Sequence, residues 1–352
     1  MQEDYDRKNS HLAICLNEQV EYGSGDANGF GSYRFDHDAL PEVDKSKISL
    51  STVLFGKKLA APLIVGAMTG GTEKAAEINR RLALAAEKCQ VGFALGSQRK
   101  MLQDSGTKSS YQVRNHAPKL PLLVGNLGAV QLNYGVGLAE LKILIDEVGC
   151  DAFNFHLNPL QEAIQPEGDT NFSGLIVKMK AVIPQMGVPV ILKEVGSGIS
   201  ETTALKMGEL PIAGIETAGI GGTSWSKIES LRTQDLVQRS TGELFARWGV
   251  PTAESVVTCR QAFPQMTIIA SGGMRNGIEV AKAIGLGADA AALALPILKA
   301  AERSVDEAVR AISQVIEELR TAMFVTGSAS VADLRKKKLR RTLDYTTIGQ
   351  SR

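Results

Sequence analysis

The sequence predicts a closed (β/α)8 barrel, and three observations carry the prediction. From about residue 60, short runs recur that are apolar almost throughout, as parallel strands covered on both faces must be. Helical periods separate the runs. Nearly every run exits into glycines or polar residues, and the strand exits are where such a barrel builds its active site. Eight β–α units in succession favour closure over the alternative, an open doubly wound sheet.

In chain order the runs are APLIVGAM (61–68), VGFALG (91–96), PLLVGNLG (121–128) and DAFNFHL (151–157), then VPVILKEV (188–195), IAGIETAG (212–219), MTIIASGG (266–273) and ADAAALAL (288–295). Helical segments such as EINRRLALAAEKC, GLAELKILIDEVG, FSGLIVKMKAVIPQM and GIEVAKAIGLG lie between them. The chain then divides into a lid-like N-terminal extension (1–60), the barrel (61–298) and C-terminal helices with a tail (299–352), all one domain. The extension carries a short helix near 6–20 and a Gly-rich stretch, YGSGDANGFGSY. One long helical pattern follows the last strand, from Pro296 to about Arg320, and the basic run RKKKLRR comes later, read as a solvated or assembly surface.

Composition narrows the function classes. A net charge of +1 gives bulk electrostatics no reason to favour a nucleic acid or a membrane. No run of about twenty apolar residues predicts a membrane span. The polar opening MQEDYDRKNSH is no secretory signal. The four cysteines (Cys15, Cys89, Cys150, Cys259) form no CxxC pair, and Cys89 falls in step with Leu82, Ala85 and Ala86 as a core residue. A reduced, cytoplasmic protein without a structural zinc site is the expectation.

Four clusters carry chemistry. In SGGMRNG, after the seventh run, Gly272 and Gly273 let the backbone approach a ligand. A helix starting near Asn276 would aim its amides at a phosphate, with Arg275, Ala294 and Leu295 alongside. Lys193 ends an apolar run, so its ammonium enters the barrel mouth and needs an anion or an electron-rich acceptor. HLNPLQE crowds His156, Asn158, Gln161 and Glu162 onto one exit, where Glu162 could give Mg2+ one oxygen, waters and substrate phosphate giving the rest. In RKNSH, Arg7 and His11 share a helical face with Lys8 near it, a set suited to a second phosphate arriving as a lid.

RKxxH, AMTGG, GSQR, GNLG, HLNPLQE, VxLKEVGxG, GGTSW and SGGxxxG occur in this order from Arg7 to about Leu298. The chain thereby closely resembles the type 2, FMN-dependent isopentenyl diphosphate isomerases; HLNPLQE with GGTSW is the specific part. The resemblance implies FMN contacts at Ala67, Met68, Thr69, Ser97, Asn126, Lys193 and Thr223, with the flavin phosphate at Gly272, Gly273, Arg275, Ala294 and Leu295. It implies substrate diphosphate on Arg7, Lys8, Ser97, Gln98 and Arg99, Gln161 near the allylic carbons, and Mg2+ on Glu162. Reduced FMN would give and take the proton, Lys193 would stabilise its anionic form, and His11 and His156 would position ligands. NADPH or another reductant would reduce the flavin, and the enzyme would be a homo-oligomer, a tetramer or octamer. Two rivals remain: a non-catalytic barrel binding a phosphorylated metabolite, and an FMN-dependent α-hydroxy acid oxidoreductase. The second needs a His-Gly pair, and none of the four histidines precedes glycine.

Overall fold

The structure is a computed structural model that describes residues 2–22 and 27–342, with side chains from Lys8 onward. All eight predicted runs form strands: β1 (Leu63–Val65), β2 (Gly92–Ala94), β3 (Leu123–Gly128), β4 (Ala152–Leu157), β5 (Val190–Glu194), β6 (Gly214–Glu216), β7 (Thr267–Ser271) and β8 (Ala290–Leu293). They pair in parallel in sequence order, and β8 returns to β1 to close the barrel. Seven helices bear on the site: α1 (Gln2–Asn17), α2 (Glu73–Cys89), α3 (Pro159–Ile164), α4 (Trp225–Arg232), α5 (Gly277–Gly285), α6 (Leu295–Arg303) and α7 (Val305–Phe324).

Outward-facing residues such as Phe153, Phe155 and Ile215 pack under the helices, while Ile64, Val124, Ile191 and Ile269 fill the interior. The ladder registers arrange the inward residues in levels of four from alternate strands. Those four isoleucine and valine residues form one level. Above it, toward the mouth, lie Ala94, Asn154, Glu216 and Ala292, and above those Gly66, Asn126, Lys193 and Ser271. The interior therefore turns from apolar to polar on the way to the mouth. An amide buried there without partners costs about 1–3 kcal/mol, so the polar levels are there at a cost in stability.

Helix α2 shows how sequence sets an outer element. Thr72 caps it by accepting from Ala75 N at 3.2 Å, and Ile78, Leu82, Ala85 and Ala86 are buried along one face. Cys89, expected in the core, is half-buried where α2 meets α7, its Sγ 3.9 Å from Val309 O and Ser313 Oγ.

The extension does more than roof the mouth. Residues 52–54 and 57–59 form an antiparallel hairpin, turned by Phe55 and Gly56 at φ 50° and 78°. Leu54, Leu59 and Phe55 join the interior core, and Phe55 lies against Gly214. The hairpin plugs the end opposite the site, whereas α1 and residues 20–22 lie over the mouth.

One expectation at the C-terminal end changes. The continuous helix from Pro296 to Arg320 is two helices, α6 and α7, parted at Ser304, whose side chain caps α7 by accepting from Glu307 N at 3.0 Å. The basic run is largely exposed to solvent, with part of it paired to the rest of the chain. Residues 339–341 pair antiparallel with 33–35, Arg340 bonds Asp36 at 2.8 Å, and Arg335 meets Asp289 at 2.8 Å. Carboxylates and strand pairing tie it down.

Candidate active site

The strand exits and α1 enclose one recess. Ala67, Met68 and Thr69, Ser97, Asn126, Lys193, Thr223, Gly272, Gly273 and Arg275, and Ala294 with Leu295 all line it. Lys8, His11, Arg99, His156, Gln161 and Glu162 line it too. The side chain of Arg7 lies outside the described residues. Gln98 does not reach the recess: it is fully buried behind the wall, donating to Leu144 O at 3.0 Å and accepting from Asn126 N at 2.8 Å. Ser97 and Arg99 face the recess and Gln98, between them, faces away.

At the β7 exit, Gly272 and Gly273 hold φ values of 107° and 75°. The start of α5 is not the open anion site expected. Asn276 accepts from Glu279 N at 3.0 Å, Glu318 takes Gly277 N at 2.7 Å and Glu279 takes Arg275 N at 2.6 Å. The Arg275 guanidinium is ion-paired with Glu21. The lining glycines and the start of α6 are left to meet an anion. Two glycines at similar φ offer a test of that cradle. At Gly273 an added Cβ would lie 2.2 Å from Gly221 C, whereas at Gly56 it would meet nothing within 4 Å. Gly273→Ala is expected to lower the melting temperature clearly more than Gly56→Ala, which carries only the ~1 kcal/mol class of positive-φ penalty. Equal losses in thermal unfolding would show that the close packing of this turn contributes nothing.

Lys193 is 8% exposed, and the anion it meets is Glu216, 3.1 Å away on β6. Glu216 also accepts from Ser271 Oγ at 2.9 Å. Beside them, Asn126 donates its amide to Leu95 O at 2.8 Å, so its Oδ1 is an acceptor and His156 Nδ1, 2.8 Å away, is the donor. Burial, with Lys193 and Arg99 nearby, pushes the His156 pKa down to about 3. His156 is thus a neutral imidazole whose Nε2 is an acceptor.

On α3, Glu162 accepts from Asn158 Nδ2 at 2.8 Å and from Asp169 N at 2.7 Å, and burial raises its pKa. Asn158 Oδ1 is buried with no protein partner. Asp169 holds Arg99 at 2.6 Å and Gln131 at 2.8 Å, so a single loop residue steadies both Glu162 and Arg99. Gln161 donates to Glu229 Oε1 at 3.0 Å and accepts from Asn158 at 3.3 Å.

Glu229 and Glu216 went unremarked in the sequence. Glu229, on α4 four residues after the Trp of GGTSW, is fully buried and pairs with Arg232 at 2.8 Å. Burial pushes its pKa up, but His11, Arg232 and Gln161 outweigh that and hold it at about 2. His11 Nε2 lies 2.9 Å from Glu229 Oε1, with its ring edge-on to Trp225. Lys8 donates to Tyr111 Oη at 2.7 Å and to Ser97 O at 3.1 Å. Both contacts fasten α1 over the mouth.

The family model described as FMN-dependent dehydrogenase matches residues 176–341. A Nostoc protein named isopentenyl-diphosphate delta-isomerase is 46% identical over 94% of this chain and 93% of its own length. Proteins of the same name from Rickettsia bellii and Oceanobacillus iheyensis are 44% and 42% identical, over 96% and 98% of this chain and 98% and 97% of theirs. Among solved structures, a lactate oxidase of Pediococcus acidilactici aligns with a TM-score of 0.69 at 17% identity, over 97% of this chain and 93% of that one. A mandelate oxidase aligns at 0.66 and 20%, over 96% and 98%. At that distance the oxidases share the fold alone.

Proposed function

The chain belongs to the isopentenyl-diphosphate delta-isomerase family, and from that premise we propose that it turns isopentenyl diphosphate into dimethylallyl diphosphate with reduced FMN and Mg2+. The observation that carries the reading is one recess joining a glycine cradle, a buried lysine and the HLNPLQE exit. The residues fit the flavin. Gly272 and Gly273 leave backbone open to a phosphate, and Lys193 offers a buried ammonium at the polar mouth. They fit Mg2+ as well: the unpartnered Asn158 Oδ1 sits beside the Glu162 carboxylate, so two oxygens can share the ion with waters and diphosphate. Among the described residues no cluster of three acidic, His or Cys side chains forms a closed metal cage.

When bound, the reduced flavin supplies a proton donor and acceptor at its N5 edge. The chain's own residues do the rest. Lys193 places charge against the flavin ring, as charge stabilisation in a dry site requires. Lys8 and Arg99 hold the diphosphate, and α1 excludes water. Gln161, held by Glu229 and Asn158, fixes the alkene, and His156 accepts a hydrogen bond from a ligand rather than giving a proton. NADPH or another reductant keeps the flavin reduced. The setting is the cytoplasm. A homo-oligomer, tetramer or octamer, fits the exposed Leu236, Val237, Leu244 and Trp248, and no described helix is long and apolar enough to cross a membrane.

The test is an anaerobic assay of isopentenyl diphosphate with FMN, Mg2+ and a reductant; no dimethylallyl product under those conditions would refute the reading. Within it, Glu162→Gln is expected to raise the Mg2+ needed for half-maximal rate by about tenfold or more while FMN stays bound. An unchanged Mg2+ titration would remove Glu162 from the metal site.

A further inference from the structure

The interior level directly beneath Lys193 is polar, although the level below it is made only of isoleucine and valine. It holds Asn154 and Glu216, with Ala94 and Ala292 completing it. Glu216 Oε1 is met from above by Lys193 Nζ at 3.1 Å and Ser271 Oγ at 2.9 Å. Asn154 is 1% exposed, and neither its Nδ2 nor its Oδ1 has a protein partner. Two of the four side chains are alanines, the smallest that carry a Cβ, and the recess reaches down to this level at Glu216 and Ala292. A small polar space with an unpaired donor, an unpaired acceptor and a carboxylate close by is the setting in which buried water is held, by two to four hydrogen bonds. The catalytic scheme above uses neither Asn154 nor Glu216.

We infer that a resident water fills the level of Ala94, Asn154, Glu216 and Ala292, bridging the Asn154 amide to the Glu216 carboxylate. Glu216, so held, is the counter-charge that limits how strongly Lys193 favours the reduced, anionic form of the bound flavin. This second part rests on the flavin lying against Lys193. Glu216 is a positioning residue: it reaches the floor of the recess and acts through Lys193. A lone ammonium in this dry mouth would lock an anionic flavin in place. The Lys193–Glu216 pair is neutral overall, so its field on the ring is that of a short dipole and is much weaker. The water donates to Glu216 and spreads its charge, so the two halves of the inference are coupled.

Two variants separate the terms. Glu216→Gln keeps an oxygen that can accept from Lys193 and Ser271 but removes the negative charge. Asn154→Leu keeps the approximate volume, drives the water out and leaves Glu216 less shielded. The readout is the ratio of the dissociation constants for oxidised and reduced FMN, obtained from flavin binding and the midpoint potential and not from turnover. Glu216→Gln is expected to shift the ratio toward the reduced form by about tenfold or more. Asn154→Leu is expected to shift it a few-fold the other way. A flavin-loaded crystal structure of the unaltered enzyme is expected to show water density between the two side chains, absent in Asn154→Leu. Variants that fold and bind FMN with the ratio unmoved would overturn the counter-charge. An Asn154 amide bonded directly to Glu216 with no solvent between would overturn the water. Failure of the unaltered protein to bind FMN at all would overturn the flavin reading itself, and this inference with it.

Discussion

Protein stripped of flavin, or kept with its flavin oxidised, is expected to show no isomerisation above background, although the reaction transfers no net electrons. Protonating an unactivated alkene needs a strong acid at the carbon, and general acid catalysis ordinarily supplies about 10²–10⁴ in rate. Among the described residues, the carboxylic, thiol and strand-exit imidazole groups at the recess are each unsuited to that work. His156 is held neutral with a pKa near 3, so at neutral pH it has no acidic proton to give from Nε2. Glu229 is held ionised at about 2 and is sealed behind Gln161 and His11. Burial pushes the Glu162 pKa upward, but its carboxylate is the one offered to Mg2+, and a bound cation would hold it ionised. Burial lifts the Cys15 thiol to about 12. Rates measured with apoprotein, with oxidised FMN in air and with dithionite-reduced FMN under anaerobic conditions decide the matter. Turnover by the apoprotein equal to that of the reduced holoenzyme would mean that a side chain above has been misjudged.

The fold was legible because eight apolar runs in succession, with helical periods between them, leave few alternatives, and each run became a strand. What the sequence hid were features made by distant partners. The hairpin of residues 52–59 reads as two short polar-flanked runs, and only the closed barrel shows that Phe55 meets Gly214 beneath it. The split at Ser304 was legible in principle, since Ser304 with Glu307 is a capping signature inside an otherwise continuous apolar period. At the site, the glycines, Lys193 and HLNPLQE stood out because each breaks its local pattern. Glu216 did the same in the middle of IAGIETAG, a charged residue in an apolar strand, and that signal could have named the anion Lys193 requires. Glu229 gave no local signal: a glutamate on a helix is ordinary until the fold buries it against His11, Gln161 and Arg232. Gln98 went wrong because it sits in the turn that opens the helix at Arg99, at φ −85° and ψ 5°, and its side chain is directed back onto Leu144 O and Asn126 N behind the wall.

Gln161→Ala is expected to lower turnover by on the order of tenfold to a thousandfold, while flavin affinity and melting temperature stay close to those of the unaltered enzyme. The amide lines the recess, and both its ends are fixed, Nε2 to Glu229 at 3.0 Å and Oε1 from Asn158 at 3.3 Å. An amide does not ionise usefully, so its part is to hold the reacting carbons in place and steady the moving proton by hydrogen bonding. Misplacement by ~1 Å can cost about a hundredfold in rate. The fold should tolerate the loss. Glu229 keeps Arg232 at 2.8 Å and His11 at 2.9 Å as partners, so truncating Gln161 leaves no bare buried charge. One neutral or charge-assisted hydrogen bond is worth about 1–3 kcal/mol at most. Glu229→Gln supplies the complement: it keeps a hydrogen-bonding group beside Gln161 but lets that amide turn over, so turnover should fall with FMN still bound. Turnover, flavin titration and thermal unfolding of both variants, run side by side, separate the roles. A Gln161→Ala protein that melts early or releases its flavin would place the residue in the scaffold, and one with unaltered turnover would take it out of the reaction.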